Sequence, residues 1–140
     1  MHRKVAVAIA AALALTVASC GGSETTTLTR AALVRRVETA CREAQAAAAR
    51  ASSSDPITGL RAAQKRLVEK LDGLEGSGSA KADFDTYKEA ARGRSDLIER
   101  IASASRAERQ RVLRAVAREA EQLGRRLETA ATRLGLTSCA

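Results

Sequence analysis

Apolar residues recur at intervals of three and four in four stretches of the chain, and no stretch alternates with period two. In the first, 28–51, Leu33, Val37, Ala40, Ala44, Ala47 and Ala51 fall on one face of a helix. The segment "SSSDP" interrupts it, with Asp55 placed as N-cap and Pro56 as the first residue of the next helix. That helix, 56–74, carries Leu60, Leu67, Leu71 and Leu74 on one stripe, and "GLEGSGSA" reads as a linker after it. The third, 80–103, is built on Phe84, Tyr87, Ala91, Ile98 and Ile101. The fourth, 105–134, opens at "SRAE", where Ser105 and Glu108 stand in capping-box relation. It carries Val112, Val116, Ala120, Leu123, Leu127 and Leu134. Four helices with short connections and no strand predict an all-α, up-down-up-down four-helix bundle over residues 28–140.

A different pattern precedes the bundle. Arg3 and Lys4 are followed by fifteen residues without charge, Val5 to Ser19. A membrane-spanning helix needs about 20 apolar residues, so the run is short for a permanent span. A basic start, a short apolar run and small residues before a break describe a secretory signal. In place of an Ala-x-Ala-like site stands "VASC". Val17, Ala18, Ser19 and Cys20 resemble the lipobox of bacterial lipoproteins. The resemblance implies that residues 1–19 are cleaved and that Cys20 Sγ receives a diacylglyceryl group. The domain is then exported and held to the cell membrane by lipid. The alternative is a plain signal peptide with a coincidental cysteine. Residues 20–27, with "GGSETTT", read as a flexible tether.

Composition then narrows the chemistry. Cleavage removes Arg3, Lys4 and the single His, so the mature chain keeps 22 basic against 16 acidic side chains, net +6. Histidine is the usual general base near neutral pH and the commonest metal ligand. Its absence removes histidine-ligated metal sites, Ser–His–Asp triads and Cys–His pairs from this chain. "GLEGSGSA" lacks the Gly-Lys-Ser/Thr ending of a phosphate loop. No enzymatic activity, metal or cofactor is predicted. Leu, Ile, Val and Phe supply only 21 of the 121 mature residues, so the core is thin and calls for a staple.

Two cysteines remain to supply it. Cys41 flanks the apolar stripe of the first helix and Cys139 is the penultimate residue. In an up-down bundle the first and fourth helices are antiparallel neighbours, and Gly135 can break the last helix so that "LTSC" folds back toward Cys41. Export places both where disulfides persist. The alternative is two free buried thiols; a redox-active pair is not expected, since neither lies in a C-x-x-C. "VETACREAQAA" and the terminal "LGLTSCA" also resemble a family of small, Ala/Arg-rich actinobacterial lipoproteins. Ala40, Cys41 and Ala44 match its early cysteine element, and Gly135, Leu136 and Cys139 its terminus. The resemblance implies the same Cys41–Cys139 bridge and supplies no activity.

Charge leaves two candidate sites. Arg111, Arg114, Arg118 and Arg125 share the face of helix four opposite its apolar stripe. They read either as a solvated face or as a contact for an anionic surface or acidic protein. Nucleic acid fits the charge but not the exported address. Arg94 falls inside the Phe84/Tyr87/Ala91/Ile98 stripe, where an apolar residue belongs. Gly93 distorts the helix there, or the side chain snorkels, or it meets a buried acid, or it receives an anionic ligand near Tyr87. Gly124 reads as a point of close helix contact. Together these features predict a membrane-anchored envelope protein with a non-enzymatic binding or structural role. The alternative is a small anionic ligand carrier using an interhelical groove near Tyr87 and Arg94. A groove of about 300–1,000 Å³ favours the carrier; a filled core with an exposed patch favours the interaction protein.

Overall fold

The computed structural model describes residues 26–51 and 56–139. The lipobox, Cys20 and the Asp55 cap lie outside them. The fold is mostly helical: β1 (Thr26–Leu28), α1 (Arg30–Ala51), α2 (Pro56–Asp72), β2 (Leu74–Gly76), α3 (Ala80–Ser103) and α4 (Arg109–Leu134). Among the described residues no helix is long and apolar enough to cross a membrane.

Local chemistry accounts for the helix ends. Thr29 accepts the Leu33 N–H on its carbonyl at 2.8 Å and the Ala32 N–H on Oγ1 at 3.4 Å, which starts α1 two residues later than its apolar pattern. Pro56 opens α2 as its fixed φ allows. Before α4, the Ser105 hydroxyl donates to the Glu108 carboxylate at 2.7 Å and accepts the Glu108 N–H at 3.3 Å. The turn it caps precedes regular helix, which begins at Arg109. At the other end Gly135 takes φ 84°, and the Leu136 N–H bonds the Ala131 carbonyl at 2.9 Å while the Gly135 N–H reaches Thr132 at 3.1 Å. This double closure is a Schellman motif, and buried Leu136 supplies its apolar contact.

The absence of strands expected from the sequence is corrected. Residues 26–28 and 74–76 form a two-stranded parallel sheet, with Thr26 opposite Leu74, Thr27 opposite Glu75 and Leu28 opposite Gly76. Three-residue strands are too short to display an alternation. Each also sits in a segment whose composition reads as tether or linker. Leu74 consequently leaves the α2 stripe and pairs in β2, and Thr26 and Thr27 join the folded domain while staying exposed.

The core lies at one end of the helices. Leu33, Val37, Leu71, Phe84, Leu127 and Leu134 are buried in one cluster with Ala80, Ala90 and Ala131. Helices adjacent in sequence pack together: α1 on α2, α2 on α3, and α3 on α4. Toward the other end large side chains run out on α1, although α3 and α4 still bury Leu97, Ile98 and Val116. Beyond Cys41 the apolar residues of α1 are all alanine, Ala120 is exposed, and Leu60, expected inside, is 39% exposed.

A candidate ligand cavity between the helices

Where the large side chains run out, a cavity of about 510 Å³ opens between the helices. α1 contributes Ala44 and Ala48, α2 Leu60, Ala63 and Leu67, α3 Tyr87, Ala91 and Arg94, and α4 Gly124, Leu127 and Glu128. Cys41, Leu67, Tyr87, Ala91 and Leu127, buried with Ala63 and Gln64, form its floor. Ala48, Leu60, Arg94 and Gly124 are exposed or half-exposed and stand at its mouth.

The floor is fixed by a covalent bond. Cys41 and Cys139 are joined as a disulfide, with Cα atoms 5.7 Å apart, inside the range such a bond requires. Gly135 turns the chain back along α1 to make this reach possible. A disulfide sulfur carries no proton, so the Tyr87 hydroxyl is the donor in its 3.5 Å contact with Cys41 Sγ. Tyr87 is 2% exposed. Burial pushes its phenol up to about 12, Arg94 acting against the rise and Glu38 adding to it. Tyr87 is therefore neutral across the physiological range.

Glu38, which the sequence pattern does not single out, clamps the same segment. Its carboxylate accepts the Thr137 N–H, the Ser138 N–H at 3.0 Å and the Thr137 hydroxyl at 3.2 Å. The Ser138 hydroxyl lowers its pKa most; loss of water opposes this, and the two amides and the Thr137 hydroxyl carry it down to about 2. The signal was its position, three residues before Cys41 and so on the same helix face.

The structure brings Tyr87 and Arg94 to one cavity, as the groove reading requires. Of the four accounts of Arg94, a buried acid is not what it meets: Arg94 is exposed, and among the described residues no carboxylate lies within ion-pair distance of it. Gly93 does not break α3, which runs unbroken through it. Its role belongs to packing, because a Cβ there would stand 2.9 Å from Leu123 Cδ2. The close contact expected of Gly124 is corrected: a Cβ at Gly124 would meet nothing within 4 Å. Gly124 faces the cavity, and its missing side chain is part of the empty volume.

Arg111, Arg114, Arg118 and Arg125 are exposed on α4 and are not lining residues of this cavity. Arg125 pairs with Glu121, whereas the other three have no ion-pair partner among the described residues. Leu113 stands among them, 42% exposed. Among the described residues no three His, Cys, Asp or Glu side chains converge as metal ligands would. Compared with protein families, curated proteins and solved structures, the chain matches none.

Proposed function

We propose that this is an exported envelope protein, anchored to the bacterial cell membrane through lipidated Cys20, that carries a small ligand in the cavity between its helices. The observation that carries the binding role is the cavity itself: its volume falls in the range of ligand sites, and a few polar groups sit on mostly apolar walls. The role is binding rather than catalysis, and a mature chain without histidine supports that. The anchor rests on the order of basic start, apolar run and "VASC". We place the domain on an up-down-up-down bundle. The ion pairs Arg61–Glu99 and Asp72–Arg92 between α2 and α3, and Glu89–Arg126 and Arg100–Glu119 between α3 and α4, support it, since partner numbers fall along one helix as they rise along the next.

Protein isolated from membranes without reductant, extracted with organic solvent and read by mass spectrometry, tests the carrier role. One small molecule per chain is expected, and none from a Gly124→Leu variant whose cavity is filled. Equal yields from both would exclude the cavity as the site. Fatty-acid labelling tests the anchor: label is expected on the wild type and not on Cys20→Ser, and label on the variant would exclude Cys20 as the anchor. A second reading, attachment to an anionic surface, draws on the unpaired Arg111, Arg114 and Arg118 around exposed Leu113. It predicts salt-sensitive sedimentation with anionic vesicles, lost when the three arginines become glutamine.

A further inference from the structure

The walls and rim of the cavity narrow the ligand further, on the premise that the cavity is a carrier site. We infer that it takes a single-chain aliphatic monocarboxylic acid, with the hydrocarbon on the Tyr87–disulfide floor, the acid at the mouth on Arg94, and Gly124 holding the space open.

The walls decide the body of the ligand. Ala44, Ala48, Ala63, Ala91, Leu67 and Leu127 present methyl and methylene groups. The polar side chains among them are each held by a hydrogen bond within the protein. The Tyr87 hydroxyl donates to Cys41 Sγ, Gln64 Nε2 to the Ala91 carbonyl at 3.2 Å, and Gln45 Nε2 to the Ser138 carbonyl at 2.7 Å. A sugar or nucleoside would bury hydroxyl groups against a surface that offers them few partners, and a buried polar group left unpaired is costly. A hydrocarbon chain meets no such penalty.

The rim decides the head group. Its charged side chains are Arg94 and Glu128. Arg94 continues the inward series of Tyr87 and Ala91 along α3, at positions four and seven residues on. Its charge acts on the phenol of the floor. Neighbouring arginines of α3 are satisfied, Arg92 by Asp72 and Arg100 by Glu119, while Arg94 has no carboxylate partner among the described residues. An acid group supplies one. Glu128 on the far side disfavours a second negative charge, so a monoanion fits better than a phosphate monoester.

Gly124 sets the capacity. It is the one α4 position on this wall with no side chain, and a Cβ there has nothing within 4 Å to strike. A larger residue would point into the volume that the ligand needs, at no steric cost to the fold.

The test uses the complete mature chain, with Cys20→Ser in place of the lipidated residue, secreted so that Cys41–Cys139 forms. Isothermal titration is run with decanoate, decanol and decylamine below their micelle concentrations. Decanoate is expected to bind one per chain, at least tenfold tighter than decanol or decylamine. Gly124→Leu should weaken it tenfold or more without lowering the melting temperature; if that variant melts early, Ala48→Leu fills the cavity from the facing wall instead. Arg94→Gln should bring decanoate to the affinity of decanol and leave decanol unchanged. Decanol binding as tightly as decanoate, or decylamine more tightly, with both lost in the filled variants, overturns the acid and leaves the carrier role standing. Binding that survives both filled variants, or no binding of any of the three, overturns the inference and the carrier role together.

Discussion

Glu38 ties the last residues of the chain to α1 through a carboxylate that is effective only while ionised. Its pKa is lowered from 4.5 to about 2, so folding favours the charged form. The stabilisation is complete above the unfolded value and is lost as pH falls from about 4.5 toward 2. Thermal melts across that window should show the wild type losing stability, whereas Glu38→Gln should start lower and fall less. Parallel curves would locate the acid sensitivity in other carboxylates. Two glycines offer a second contrast at this scale. Gly93→Ala drives a methyl against Leu123 and should cost about 1–3 kcal/mol. Gly124→Ala meets open space on a helix and should stabilise by about 0.5–1 kcal/mol. Chemical denaturation of the two variants checks the opposite signs. Their roles could not be read from the chain, because a glycine in a helical pattern does not reveal what faces it.

At the scale of elements, the helices were legible and the strands were not. The third helix runs over 80–103 as its apolar spacing predicts, because Phe84, Tyr87, Ala91 and Ile98 keep one period and all face the core. The strands are held by main-chain pairing across 48 residues of sequence, Thr26 to Leu74, and no local pattern encodes that partnership. Leu60 shows a further limit: its spacing fits the stripe, but the apolar positions of α1 at the cavity are alanines, and Leu60 stays 39% exposed while Leu97 and Ile98 of α3 are buried. The segment after Gly135 behaves as a fifth element without regular structure, held by the Schellman turn, Glu38 and the disulfide. Closing a loop with a separation of 98 residues restricts the unfolded chain by about 4–5 kcal/mol in the entropic picture. Reduction should therefore lower the melting temperature by about 15 °C or more. Calorimetry with and without reductant measures it, and a shift of a few degrees would mean that the non-covalent contacts of this segment carry most of the stability.

For the whole molecule, one compositional fact has two outcomes. Alanine in place of larger residues leaves a core that reaches only part of the helix length, and it leaves the volume above that core empty. The first outcome was legible as a need for a staple. The second was legible only through Tyr87 and Arg94, which share one helix face. Ala48, Gly124 and Glu128 were not, because the space they bound exists only where four helices meet.

The disulfide also changes how the molecule would transmit force. A pull applied between the N-terminal side and the C-terminus enters at Thr26, follows α1 to Cys41, and leaves through Cys139. Residues 42–138 lie outside that path and carry no tension. Stretching the oxidised protein should release only residues 26–40, on the order of 50 Å of contour at about 3.5 Å per residue. Reduction should add on the order of 340 Å at the same spacing. Single-molecule extension before and after reductant distinguishes the two lengths, and a full-length extension of the oxidised chain would exclude the closed path. Under tension at an envelope, the helices that enclose the cavity would stay folded while the strand and the start of α1 gave way.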